Sequence, residues 1–179
     1  MSFPKPGCLE GTVVVDASRV LAGPFAGQLL GDYGAEVYKL EAFDGDDTRR
    51  FGPPFVDGTA PYFMGLNRNK QDLALDLSGP EGIALLFEML EQADVFIENF
   101  KVGDMARYGL DYSSLKVLNP RLVYCSVTGF GQTGPYSDRA GYDYAVQGIG
   151  GLMSVTGERD DLGGGPQKVG VAVADLFTG

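Results

Sequence analysis

Apolar positions along this chain recur with two different periods, and the periods alternate. Thr12–Val15 (TVVV) is a β-branched run that predicts a buried strand. After the loop Asp16–Gly23, Pro24 suits the first turn of a helix, because its missing N–H needs no partner there. That helix is expected to run to about Asp32, with Gly34 closing it. Ala35–Leu40 (AEVYKL) predicts a second strand. Glu41–Ala60 is polar and rich in Gly and Pro, and reads as a functional loop or lid. Gln71–Leu77 (QDLALDL) alternates as a strand or strand-like edge does.

Ser78–Glu81 (SGPE) matches a capping box that opens a helix over Pro80–Gln92. Ile83, Leu86, Phe87 and Leu90 follow at helical spacing, so one face meets a core. Asp94–Glu98 (DVFIE) predicts another buried strand. Short helices are expected over Val102–Tyr108 and Tyr112–Leu118. Leu122–Val127 (LVYCSV) predicts the last clear strand, and a helix over Tyr142–Gly148 lies in the small-residue-rich stretch Ala140–Thr156. Strands separated by helices imply crossover connections. The expected fold is therefore α/β, a Rossmann-like, mostly parallel sheet with flanking helices. Ligands in such sheets sit at the carboxyl ends of the strands. Here those ends are Asp16–Gly23, Glu41–Thr48, Glu98–Gly103 and Thr128–Pro135.

Composition narrows the chemistry. The 179 residues are 44% hydrophobic, enough for one domain with a sizeable core and too few for two full ones. No run approaches the roughly 20 apolar residues of a membrane span. Met1–Cys8 lacks the apolar run of a secretory leader. Cys8 and Cys125 are too few for a disulfide framework, and Cys125 reads as a small core hydrophobe. These features point to a reducing cytoplasm. The formal net charge of −10 argues against nucleic-acid binding, which needs a basic stripe. It leaves room for a small anionic ligand held by local cations and backbone N–H groups. Histidine is absent, which removes Ser-His-Asp and Cys-His catalysis and His-based metal sites. Covalent chemistry is left to carboxylate, Lys, Ser, Thr, Tyr or Cys.

Several motifs bear two readings. Gly129–Gly134 (GFGQTG) matches G-x-G-x-x-G, but Pro135 follows with no apolar helical period, so a tight glycine turn explains it better than a dinucleotide site. Gly163–Pro166 (GGGP) lacks the Lys-Ser/Thr of a phosphate loop and reads as a turn. Arg19–Phe25 lies between a strand and a helix N-terminus, where phosphate or an acyl oxygen binds well. An ordinary βα loop explains it equally. Glu98–Lys101 (ENFK) combines an aromatic that could stack on a base with cations at Lys101 and Arg107, but a strand end before a solvated helix is the simpler reading. Asp175 follows an apolar run of small residues. It reads both as a helix N-cap and as a nucleophile in an apolar pocket. The two are compatible, since a helix N-terminus favours an ionised carboxylate.

From about Leu9 to Gly179 the chain resembles the family III CoA-transferases. The resemblance rests on ordered blocks, each weak alone and specific together: RVLAG at Arg19–Gly23 with Pro24, GAEVYKLE at Gly34–Glu41, DDTR at Asp46–Arg49, NRNK at Asn67–Lys70, ENF at Glu98–Phe100, NPR at Asn119–Arg121, TGFGQTGP at Thr128–Pro135, RAGYD at Arg139–Asp143 and VAD at Val173–Asp175. It implies that Asp175 attacks an acyl-CoA thioester to form an aspartyl-acyl anhydride, which CoA converts to an aspartyl-CoA thioester, and that an acceptor acid completes the exchange in reverse. Thiolate leaves readily, so no imidazole base is needed, and backbone N–H groups would stabilise the oxyanion. By position, the resemblance assigns CoA binding to Arg19, Val20, Leu21, Ala22, Leu75, Asn99, Phe100, Lys101 and Arg107. Lys39 and Arg49 are added as phosphate partners, and Asn99 and Phe100 are placed at the adenosine end. It implies no tightly bound cofactor and no metal: coenzyme A and acyl-CoA are substrates, and a small carboxylic acid is the partner substrate.

The same fold hosts 2-methylacyl-CoA racemases, which use a His/Asp pair. Their histidine falls where this chain has Tyr142. A phenol of ordinary pKa about 10 is a poor base at neutral pH, so the transferase reading leads. Leu21 stands where the formyl/oxalyl branch tends to have Gln, which disfavours formate and oxalate, while DDTRRFGPP at Asp46–Pro54 hints at dicarboxylic acyl groups. Full family members are roughly twice as long, with a second, smaller domain, a returning segment and an interlocked homodimer. Residues 1–179 are accordingly expected to be the amino-terminal part of the CoA-binding large domain, inactive alone. They would lack the helix that Asp175 begins and the loop that closes over it. A truncated, non-catalytic CoA-binding module is the remaining alternative.

Overall fold

The computed structural model describes residues 7–179. The reading of Met1–Cys8 as leaderless falls largely on residues 1–6, which lie outside the described residues. Five strands form one all-parallel sheet. They are β1 (Val13–Asp16), β2 (Glu36–Glu41), β3 (Lys70–Ala74), β4 (Val95–Glu98) and β5 (Val123–Ser126), in the order β3-β2-β1-β4-β5. β1 is central because Val14 and Val15 are fully buried, one on each face. The helices are α1 (Ala22–Asp32), α2 (Pro61–Asn67), α3 (Pro80–Gln92), α4 (Asp104–Arg107), α5 (Tyr112–Leu118), α6 (Asp143–Ile149) and α7 (Val173–Thr178).

Strand alternation divides the core into two layers. On one face, Val15, Leu40 and Phe96 pack with Leu86 and Leu90 of α3 and Leu115 of α5. On the other, Val14, Val37 and Ile97 meet Ala26 and Leu30 of α1, with half-buried Cys125 against the same layer. Cys8 is exposed, and both thiols are free. No helix among the described residues is long and apolar enough to cross a membrane.

Several expected boundaries shift. α1 begins at Ala22, so Pro24 is its third residue, where a missing N–H is still harmless. The capping box does not form. The N-cap of α3 is Gly79, and the Ser78 hydroxyl instead donates to Asp76 Oδ1 at 2.6 Å. Pro80 takes the first helical position and leaves Ser78 one residue outside the turn. β3 stops at Ala74 and lies at the sheet edge. α2, within Pro61–Asn67, has no counterpart in the periodic reading, because PYFMGLN is too short to show a period. The Glu41–Ala60 segment is tied down rather than a free lid, since Asp46 and Thr48 within it are buried and hydrogen-bonded. At Gly129–Gly134 no helix opens; Gly131 (φ 81°) turns the chain, and its N–H donates to Thr128 Oγ1 at 2.8 Å.

Candidate active site

The strand order reverses direction at β1 and β4, so the loops leaving their carboxyl ends part and open a crevice. These loops carry Arg19–Leu21 and Asn99–Lys101, and they are stitched across the gap. The Arg19 N–H donates to Asn99 Oδ1 at 2.9 Å, and Asn99 Nδ2 donates back to the Arg19 carbonyl at 2.7 Å. The Arg19 guanidinium lies over the Phe100 ring, 5.5 Å from its centroid.

Val20 has φ 72°. A β-branched residue in the left-handed region costs about 1–3 kcal/mol and persists only where its surroundings hold it. The holding groups are buried polar side chains. Lys39 Nζ pairs with Asp46 Oδ2 at 3.1 Å and also donates to the Ser18 carbonyl. The Val20 N–H points at the same Asp46 oxygen, at 3.4 Å. Asp46 Oδ1 accepts from Thr48 N at 2.9 Å and Thr48 Oγ1 at 2.7 Å. Burial pushes the Asp46 carboxyl up, but the Lys39 charge and the Thr48 hydrogen bonds outweigh it, and the group sits below the usual carboxylate range. A second buried pair, Lys70 Nζ to Asp16 Oδ2 at 2.8 Å, lies beside Gly27 of α1. Burial lowers the Lys70 pKa despite the Asp16 charge.

Around this turn lies an open cleft of about 440 Å³. Arg19, Val20, Leu21, Ala22, Asn99, Phe100 and Lys101 line it together with Asp175, Tyr142 and Arg139. Residues more than 150 positions apart in the chain thus share one cavity, because α7 packs against α1. On the other side of the Arg19–Phe100 stack is a second cavity of about 550 Å³, lined by Leu75, Lys39, Phe43 and the Asp44–Asp47 segment. Arg19 and Phe100 belong to both.

Four of the expected ligand residues have side chains that are engaged within the protein or lie apart from the cavities. Lys39 lines the second cavity, but its ammonium is buried and already paired with Asp46, so it braces the loop where a free phosphate partner was expected. Arg49 is likewise engaged, by Glu41 at 2.7 Å and Asp72 at 2.9 Å. Arg107 lies outside both cavities, exposed and 3.6 Å from Asp104. Asn99, expected at a ligand, directs its amide at the Arg19 backbone.

Asp175 sits in the first turn of α7, not at its N-cap, which is Ala172. The helix it was expected to lack is present over Val173–Thr178. Asp143, the first residue of α6, performs the capping: its Oδ1 accepts from Ala174 N at 2.8 Å and Asp175 N at 3.4 Å. Burial raises the Asp175 pKa, and the Asp143 charge raises it further. Desolvation and a like charge thus act on this carboxyl against the favourable field of the helix start. Tyr62 of α2 lies at the surface, outside the cleft lining, but feels the Asp175 charge. Burial, then the charges of Asp175 and Asp46, raise its phenol. The sequence carried a signal for Asp143, in the RAGYD block, but none for Tyr62. Among the described residues no group of three His, Cys, Asp or Glu side chains is placed to hold a metal ion.

The profile of CoA-transferase family III matches residues 9–179. The chain is 57% identical over 178 residues to a succinate–glutarate CoA-transferase of Agrobacterium fabrum, covering 96% of this chain and 44% of that protein. It is 48% identical over 172 residues to the succinyl-CoA:glutarate CoA-transferase of Mus musculus, covering 96% and 39%. Its fold superposes with a TM-score of 0.91 on the crystal structure of a CAIB/BAIF family protein from Brucella suis, at 53% identity, covering 97% of this chain and 46% of that one. The chain thus spans under half the length of the curated relatives it matches.

Proposed function

The chain belongs to CoA-transferase family III, and on that footing we propose that its cleft exchanges CoA between an acyl-CoA and a carboxylic acid through Asp175. The observation that carries this reading is the placement of Asp175, a half-buried carboxylate with a raised pKa, in one cleft with Arg19–Ala22 and Asn99–Lys101.

An Asp175 carboxylate oxygen attacks the thioester carbonyl. The C–S bond breaks, CoA leaves as thiolate, and a mixed anhydride remains. The thiolate then attacks the aspartyl carbonyl, releasing the donor acid as carboxylate and leaving an aspartyl-CoA thioester. The acceptor carboxylate attacks that thioester, its C–S bond breaks and CoA leaves again as thiolate, giving a second anhydride; thiolate attack on the acceptor's carbonyl then frees the Asp175 carboxylate and yields the new acyl-CoA. Each step exchanges one anion for another and moves no proton, which suits a chain without histidine. Desolvation makes the carboxylate a stronger base and a better nucleophile. Two CoA-transferases at 48–57% identity handle glutarate and succinate or succinyl-CoA by name, so a dicarboxylic donor and acceptor are the substrate class of choice. CoA would lie across the Arg19–Phe100 stack, its adenosine toward Leu75 and its thioester toward Asp175. Residues 1–179 are read as the amino-terminal part of a large CoA-binding domain, completed in the whole protein by a small domain and by a second copy.

The test is covalent trapping in the whole protein. Incubation with succinyl-CoA and hydroxylamine is expected to leave a hydroxamate on Asp175, detectable by peptide mass spectrometry. Solvent deuterium entering the substrate α-carbon, with no adduct on the enzyme, would reject the transferase and favour a racemase.

A further inference from the structure

We infer that Asn99 and the buried Asp46–Lys39 pair are positioning residues whose task is to hold Val20 in its left-handed conformation at the cleft. The inference rests on the reading of this cleft as the acyl-CoA site.

Four observations converge on it. Val20 has φ 72°, a conformation a β-branched side chain does not choose for itself. Both polar groups of the preceding residue are pinned by one side chain, since Asn99 accepts from Arg19 N and donates to Arg19 O. That pairing also sets the amide orientation, because an N–H needs the oxygen and a carbonyl needs the NH2. On the other side of the turn, Lys39 holds the Ser18 carbonyl and Asp46 faces the Val20 N–H. Finally, Lys39 and Asp46 are almost fully buried, with side-chain exposures of 1% each. An ion pair so far from water contributes little net stability, but it fixes geometry where it is hydrogen-bonded on every side.

The turn is thus clamped from residue 18 to residue 20, directly before the N-cap of α1 at Leu21. Released, Val20 would relax toward negative φ. The Arg19 guanidinium would then leave Phe100, and the start of α1 would rotate away from Asp175. On this view Asn99 reaches the ligand through Arg19 and Val20.

A double-mutant cycle separates this role from direct ligand contact. Glycine adopts positive φ without enforcement, so Val20→Gly should make the clamp partly redundant. CoA affinity by calorimetry and transfer kcat/KM are measured for the whole protein, for Asn99→Ala, for Val20→Gly and for the double variant. Asn99→Ala is expected to lower kcat/KM about tenfold in the Val20 background and no more than about threefold in the Val20→Gly background. An equal loss in both backgrounds, or no loss in the first, overturns the inference. Should Asn99→Ala fail to fold, Asn99→Asp, which keeps the acceptor for Arg19 N and loses the donor, runs the same cycle. If the unmutated protein binds no CoA, the reading of the cleft fails instead. The two failures are therefore distinguishable.

Discussion

Asp143 Oδ1 accepts the backbone N–H of Asp175 at 3.4 Å while its negative charge faces the Asp175 carboxylate. One side chain therefore caps α7 and opposes ionisation of the residue it positions. The two effects are separable. In Asp143→Asn the amide oxygen still accepts the Ala174 and Asp175 N–H groups and the charge is gone, at the cost of the bond that Asp143 Oδ2 accepts from Gln147 Nε2 at 2.6 Å. The Asp175 pKa should fall toward the ordinary value, and the part of its elevation due to burial should stay. Since the ionised form reacts, the acidic limb of the kcat/KM profile of the whole protein should move to lower pH. Above both pKa values the rate should fall a few-fold, because a less basic carboxylate is a weaker nucleophile. A limb that stays in place contradicts the coupling.

Asp46 gives a pH dependence of stability with the opposite sign. Its folded pKa lies below its unfolded value, so it contributes stability above the unfolded pKa of about 3.9. That stability is lost as pH falls through the lower folded pKa. Asp46→Asn leaves Lys39 buried without a counter-charge, at a cost of about 3–5 kcal/mol at neutral pH. Thermal unfolding across pH should show the gap between parent and variant closing below about pH 4. A gap independent of pH would mean that the charge of Asp46 is irrelevant.

Two glycines in helices should respond oppositely to alanine. A Cβ at Gly27 would stand 2.6 Å from Asp16 Oδ2 and 3.3 Å from Lys70 Nζ, so Gly27→Ala forces the buried pair apart and should cost about 1–3 kcal/mol. At Gly65, inside α2, a Cβ meets nothing within 4 Å. Gly65→Ala should therefore stabilise by about 0.5–1 kcal/mol, through helix propensity. Urea unfolding of both variants reads the contrast directly.

Phe100 borders both cavities beneath the Arg19 guanidinium. If CoA lies across this ridge, Phe100→Ala removes a stacking surface worth about 1–3 kcal/mol per base. Calorimetry should then show CoA affinity weakened at least about tenfold, with global stability little changed because Phe100 is only half-buried. Unchanged affinity would move the base elsewhere.

Much of the fold was legible because local periodicity and burial agreed. The TVVV run gave β1, Pro80–Gln92 and Tyr112–Leu118 gave α3 and α5 with the observed limits, and alternating elements implied the parallel sheet. α2 was missed because seven residues cannot show a helical period. The capping box failed because the signature tests residue identity, not where Pro80 sets the first turn.

The sequence by itself determined which residue types were available: no histidine, a carboxylate after an apolar run, and an ordered set of blocks that pointed to the family. Tertiary structure alone decided which of them meet. Packing of α7 on α1 brings Asp175 to Arg19–Ala22. The strand order places Asn99 opposite Arg19. Lys39 and Asp46 become partners only when a loop folds back over β2 and excludes water. Identity and spacing are local properties, whereas burial and opposing charge depend on elements far apart in the chain. That is why the sequence showed the helix start that favours an ionised Asp175, and only the tertiary structure showed the burial and the Asp143 charge that raise its pKa.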